Sequence, residues 1–240
     1  GLTNTLSALS MGTQTLTIGA GGLVTNGFAG ISFTGAALFT GNPTFNVVTN
    51  GSGAATIFTL GTLNDSGVPR MITKSGPGTL VLGAAASSLV NGTMVSIAGG
   101  ALNANIAAAL GTLAAVDVAD GAVLNLGAAQ TFGALSNVGS TLNSGSVVIG
   151  GAFALTVGNP ANNLSSSFSG VISGGATAGL TKAGAGTFTL AGTNAYGGVT
   201  TISAGTLALG NPAALGAAGS ASSLGGGALS LATDTSVNAY

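Results

Sequence analysis

The chain is 240 residues long, 46% apolar and only 3% charged, with a formal net charge of −1 and no Cys, His or Trp. Its charged side chains are Asp65, Arg70, Lys74, Asp117, Asp120, Lys182 and Asp234. So few bases leave no electrostatic footprint for nucleic acid or an anionic membrane, and so few acids and bases close most catalytic repertoires. Disorder is a poor fit, because disordered chains are poor in apolar residues and rich in charge.

In chain order, period-two alternation predicts short strands at Thr15-Leu16-Thr17-Ile18, Phe153-Ala154-Leu155-Thr156-Val157, Gly186-Thr187-Phe188-Thr189-Leu190 and Ala228-Leu229-Ser230-Leu231. Turn signals punctuate them at Asn42-Pro43, Asn50-Gly51, Asn91-Gly92, Asp120-Gly121, Asn159-Pro160 and Asn211-Pro212. Long helices are not expected, since Gly fills 44 positions and β-branched residues dominate the periodic runs. A membrane-spanning helix needs about 20 apolar residues in a row. Polar residues or Gly interrupt every candidate, and Ala104 to Val116 is too short. The first residue is Gly1 and no signal peptide is visible, which reads as a mature or excised segment.

Internal repetition organises the chain. Ile72-Thr73-Lys74-Ser75-Gly76-Pro77-Gly78-Thr79-Leu80-Val81-Leu82 recurs as Leu180-Thr181-Lys182-Ala183-Gly184-Ala185-Gly186-Thr187-Phe188-Thr189-Leu190, at an offset of 108 residues. The offset falls to 105 where Ser96-Ile97-Ala98-Gly99-Gly100-Ala101-Leu102 meets Thr201-Ile202-Ser203-Ala204-Gly205-Thr206-Leu207. The long repeat therefore matches about 72–111 with 180–216, with a short gap placed in a loop. Within it, Gly followed by alternating apolar residues returns at Gly78, Gly100 and Gly121 and again at Gly186, Gly205 and Gly227. Steps of about 22 residues suit one coil of a solenoid better than a helical hairpin. The expected fold is all-β, a right-handed parallel β-helix of about ten or eleven coils of 19–24 residues, running through 1–240 as one continuous segment. At about 4.8 Å per coil it forms a rod on the order of 50 Å long.

The stretch from Gly179 to Leu207, Gly-Leu-Thr-Lys-Ala-Gly-Ala-Gly-Thr-Phe-Thr-Leu followed by Ala-Gly-Thr-Asn-Ala-Tyr-Gly-Gly-Val-Thr-Thr-Ile-Ser-Ala-Gly-Thr-Leu, resembles the autotransporter-associated β-strand repeat, also called the passenger-associated transport repeat. Phe168 to Gly174 is similar to its usual lead-in, and Ile72 to Gly111 is a weaker copy. The resemblance implies an autotransporter passenger exported to the outer surface of a Gram-negative bacterium, as an adhesin, stalk or sheath component. It names no ligand.

No catalytic, cofactor-binding or metal site is expected. Asp117 and Asp120 form the one close carboxylate pair, preceding Gly121 in what reads as a turn, without the recurring Asp of a calcium-binding β-roll. Glycan-cleaving β-helices cluster acids and bases on one face, whereas Arg70 and Lys74 stand a long repeat away from Lys182 and only Asp65 lies near either. Lys74 and Lys182 occupy matching positions, which suggests capping of a strand end or pairing across a coil. Gly197-Gly198 and Gly225-Gly226-Gly227 lack the Lys of a phosphate loop. Asn50-Gly51-Ser52, Asn64-Asp65-Ser66, Asn91-Gly92-Thr93 and Asn163-Leu164-Ser165 fit the N-glycosylation pattern only by chance. The leading expectation is a structural, self-associating surface or filament protein. An adhesive rod contacting host, matrix or biofilm glycans or proteins is the alternative, and an ice-binding Thr face is a minor one.

Overall fold

The computed structural model describes residues 2–21, 28–49, 55–138, 144–218 and 220–231. Among the described residues strands follow one another from 2 to 231, and every pairing between them is parallel. No helix occurs among the described residues. In order they are β1 (Leu2–Leu6), β2 (Leu9–Met11), β3 (Thr15–Gly19), β4 (Phe28–Phe39), β5 (Thr44–Val48), β6 (Ala55–Asn64), β7 (Met71–Ser75) and β8 (Thr79–Leu82). Next come β9 (Met94–Ile97), β10 (Ala101–Ala104), β11 (Ala115–Val118), β12 (Val123–Leu126), β13 (Thr131–Phe132), β14 (Ala134–Ser136), β15 (Ser146–Ile149) and β16 (Ala154–Val157). The remainder are β17 (Ser166–Phe168), β18 (Val171–Gly174), β19 (Gly179–Lys182), β20 (Thr187–Leu190), β21 (Thr200–Ile202), β22 (Thr206–Leu209), β23 (Ser222–Leu224) and β24 (Ala228–Leu231).

These strands stack into a β-solenoid of about nine turns. Ten or eleven were expected from a uniform step, but the turns are uneven. Equivalent residues of β5 and β7 are 29 positions apart, those of β10 and β12 only 22.

Three faces wrap the core. The first is one sheet in the order β1-β4-β6-β8-β10-β12-β15-β18, with β2 pairing on the far end of β4 beyond a register shift at Phe33 to Ala36. The second carries β3, β5, β7, β9, β11 and β14, and continues with the separate sheet β17-β20-β22-β24. The third holds turns in the N-terminal half and the sheet β13-β16-β19-β21-β23 in the C-terminal half.

Ladder register turns the sequence period into stacked rows. On the first face Phe58, Leu80, Leu102, Leu124, Val147 and Ile172 lie one above the next, all buried. On the second, Ile72, Val95, Val116 and Leu135 form another row. Each large apolar side chain so buried contributes roughly 1.5–3 kcal/mol, which no isolated coil could collect. Phe45 packs between Phe39 and Phe58, with ring centroids 5.8 and 5.4 Å away, and anchors the N-terminal half.

The two copies of the long repeat lie on different faces. In the first, β7 and β9 are on the second face, β8 and β10 on the first, and the intervening loop 83–93 covers the third, where Ser87 N donates to Ala108 O. In the second, β19 and β21 are on the third face, β20 and β22 on the second, and the loop 191–199 covers the first, where Ala195 N donates to Ile172 O. From β7, four turns return the chain to the second face at β17, and two faces more bring it to β19. The offset of 108 residues is thus not a whole number of turns, and the second copy is rotated by one face against the first. Between them two turns, β13-β14-β15 and β16-β17-β18, carry strands on all three faces and shift the loop side from the third face to the first.

Candidate functional site

The described charged residues fall into the fold one by one rather than as a cluster. Lys74 and Lys182 are fully buried at inward positions, Lys74 between Phe45 and Ile97 and Lys182 between Val157 and Ile202. Each ammonium reaches the corner of its turn. Lys74 Nζ donates to the carbonyls of Ser75, Gly76 and Gly99 at 2.8, 2.8 and 3.0 Å. Lys182 Nζ donates to those of Ala183, Gly184 and Ala204 at 2.5, 2.7 and 3.3 Å. An ammonium has three donors, and all are used. The third acceptor in each set belongs to the following turn, so each lysine ties two coils together. Burial pushes the Lys74 ammonium down to about 8 and lowers that of Lys182 as well.

Asp65 is equally buried. Its Oδ2 accepts Val90 N at 2.7 Å and Thr93 Oγ1 at 2.6 Å, and its Oδ1 accepts Gly67 N at 3.1 Å. Thr93 Oγ1 in turn accepts the main-chain N of Arg70 at 3.0 Å, so Asp65 lies near Arg70 and braces the backbone there.

Asp117 and Asp120 do not act as a pair. Asp117 lies within β11 and not in the turn expected from its sequence, and its Oδ1 accepts Val138 N at 2.7 Å and Ser136 Oγ at 3.0 Å. Asp120 is in the turn and accepts Ser144 N at 3.0 Å. Among the described residues no three acids are close enough to hold a metal ion. Asp234 and the Asn50-Gly51-Ser52 pattern lie outside the described residues.

The remaining motifs also resolve into backbone geometry. Gly197 N and Gly198 N donate to Gly175 O and Ala178 O, and Gly225 N and Gly227 N both donate to Ile202 O, so four of the five amides in these runs are taken up by backbone carbonyls. Asn64 Oδ1 accepts Ser66 N, and Asn163 Oδ1 accepts Ala185 N at 2.8 Å.

Sequence reasoning missed a second set of pegs in the loops. Ser87 Oγ accepts Leu63 N at 2.9 Å and donates to Ala109 O at 2.6 Å. Asn194, at the corresponding place in the second repeat, accepts Ile172 N at 2.8 Å and donates to Ala214 O at 2.6 Å. Both sit one residue before the isolated bridges Asn64–Ser88 and Ser173–Ala195. Tyr196, one residue after the second bridge, is fully buried, and its hydroxyl lies 2.8 Å from Thr200 Oγ1. Burial raises the tyrosine's affinity for its proton, with the Thr200 contact opposing it. The matching offset of Ser87 and Asn194 was the signal; unlike side chains hid it.

Two surfaces could meet a partner. Thr131, Thr156, Thr181, Thr201 and Ser223 form an outward row along the third face. It is flanked by Ala154, Gly179 and Val199 on one side and by Gly158, Ala183 and Ser203 on the other, not the two-dimensional Thr array that the ice-binding alternative requires. A groove of about 480 Å³ opens on the second face between β14 and β17, lined by Met94, Ala115, Ala134, Val138, Leu164 and Ser166 among others, and no acid, base or thiol lines it.

Comparison with known proteins adds one finding: the passenger-associated transport repeat matches residues 72–104 and 180–209, the two copies of the long repeat. No curated protein matches the chain. No solved structure matches it either. Two such repeats carried on a β-solenoid fit an autotransporter passenger domain.

Proposed function

We propose, from the two passenger-associated transport repeats this chain carries, that it is a passenger segment displayed on the outer surface of a Gram-negative cell, acting as a non-catalytic structural rod that stacks on further solenoid coils of its own kind. The observation carrying this reading is the pair of passenger-associated transport repeats on a parallel β-solenoid, whose core rows run on to the last described coil. Leu224, Leu229 and Leu231 continue the rows of Ile202, Leu207 and Leu209, yet remain 63, 40 and 56% exposed. Apolar rows and a parallel strand edge together suit another parallel coil, and a surface with 3% charge opposes such contact weakly.

Negative-stain electron microscopy of the purified chain, with sedimentation velocity across a concentration series, tests the association. Ordered assemblies longer than one rod of about 43 Å, nine turns at about 4.8 Å each, are expected. Isolated short rods at every concentration would overturn self-association and favour the adhesive alternative. Incubation with a panel of polysaccharides is expected to release no reducing ends, because Lys74, Lys182, Asp65 and Asp117 each bond backbone groups inside the fold; release would overturn the non-catalytic part.

A further inference from the structure

On the second face the ladder is broken once. β14 ends one sheet and β17 begins the next, and no ladder joins them. The step across the break is long, with 31 positions between Leu135 and Ser166 against 19 between Asp117 and Ser136 just before it. Polar side chains replace the ladder at positions that elsewhere point into the core. Following the register of Asp117 with Ser136, Asn137 continues the row of Lys74, Ile97 and Val118. Ser166 begins the row of Phe188 and Leu207. Asn137 is nearly buried; its Nδ2 donates to Ser169 Oγ at 2.8 Å and its Oδ1 accepts Ser169 N at 3.1 Å. Ser166 Oγ accepts Leu135 N at 3.3 Å. The 480 Å³ groove lies over this junction. On the other two faces the ladders run straight past it, through β12-β15-β18 and β13-β16-β19.

We propose that this junction is a hinge built into the solenoid. Two faces stay continuous while the second is held shut by the Asn137–Ser169 and Ser166–Leu135 latch, and bending opens the groove. The physical reason is local. A strand ladder repeats hydrogen bonds along its length, whereas here, among the described residues, a few side-chain contacts close the gap beside an open groove, so opening needs few of them to break and leaves the flanking sheets intact.

Hydrogen exchange measured by mass spectrometry on the full chain tests this. Peptides covering 134–138 and 166–169 are expected to exchange at least about tenfold faster than those covering β9, β11, β20 and β22. In Asn137→Ala the junction peptides speed up further, while those four strands keep the wild-type rate. Junction amides as slow as the flanking strands, or a variant that accelerates every turn alike, would overturn the hinge. Should the variant not fold, the wild-type comparison decides the matter.

Discussion

Lys74 illustrates how a single residue can be read two ways. Its aliphatic stem stacks in an apolar row while its ammonium satisfies three carbonyls at the corner, so the side chain serves both the core and the turn. Lys74→Met keeps the stem but strips the carbonyls, and is expected to cost about 1–3 kcal/mol in urea denaturation, because buried acceptors lose their donor. Lys182→Met is expected to behave alike. The pH dependence has a definite sign. With the folded Lys74 ammonium lowered to about 8 from an ordinary 10.5, the unfolded chain holds more protons between those values. Stability relative to Lys74→Met therefore rises with pH across that window; a difference that is flat or falls between pH 8 and 10.5 would contradict it. The matching positions of Lys74 and Lys182 were plain in the sequence and pointed to a structural role. Their burial was not, because a Lys between Thr and Ser, as at Lys74, or between Thr and Ala, as at Lys182, looks like a solvated residue until the ladder places it in a core row.

At the scale of the element, the corners set what the strands can do. Gly100 and Gly205 hold the same place in the two repeats, at φ of +64° and +66°. A Cβ on Gly100 would stand 2.5 Å from both Gly76 O and Gly78 O in the turn before. Gly121 shares the positive φ, +72°, but has open space around it. Gly121→Ala is expected to cost about 1 kcal/mol from backbone strain alone, and Gly100→Ala well above that, since it adds collision with backbone that cannot swing aside. Thermal unfolding of the two variants separates these contributions, and equal losses would show that the close approach is unimportant. Core truncation gives a second measure. Phe58→Ala removes a ring packed against Phe33 and Phe45 and is expected to cost about 3–5 kcal/mol. Strands such as β3, β16 and β20 were legible from alternation because one side of each faces the core, and β24 because it repeats the same alternation although its leucines are exposed. β14 and β17 were not, since Asn137 and Ser166 break the apolar rhythm at the very positions that would have announced them.

Across the whole molecule, the parallel solenoid followed from self-similarity every twenty or so residues, which a sandwich or barrel does not predict. The number of turns did not, because a residue count cannot tell a 29-residue turn from a 22-residue one. Nor was the rotation of the second repeat visible, for an offset of 108 residues counts positions and not faces. That rotation matters for anything that recognises the repeats. The loops of the first copy look out from one side of the rod and those of the second from another, so a two-armed ligand gripping both must wind part of the way around the shaft instead of lying flat along it.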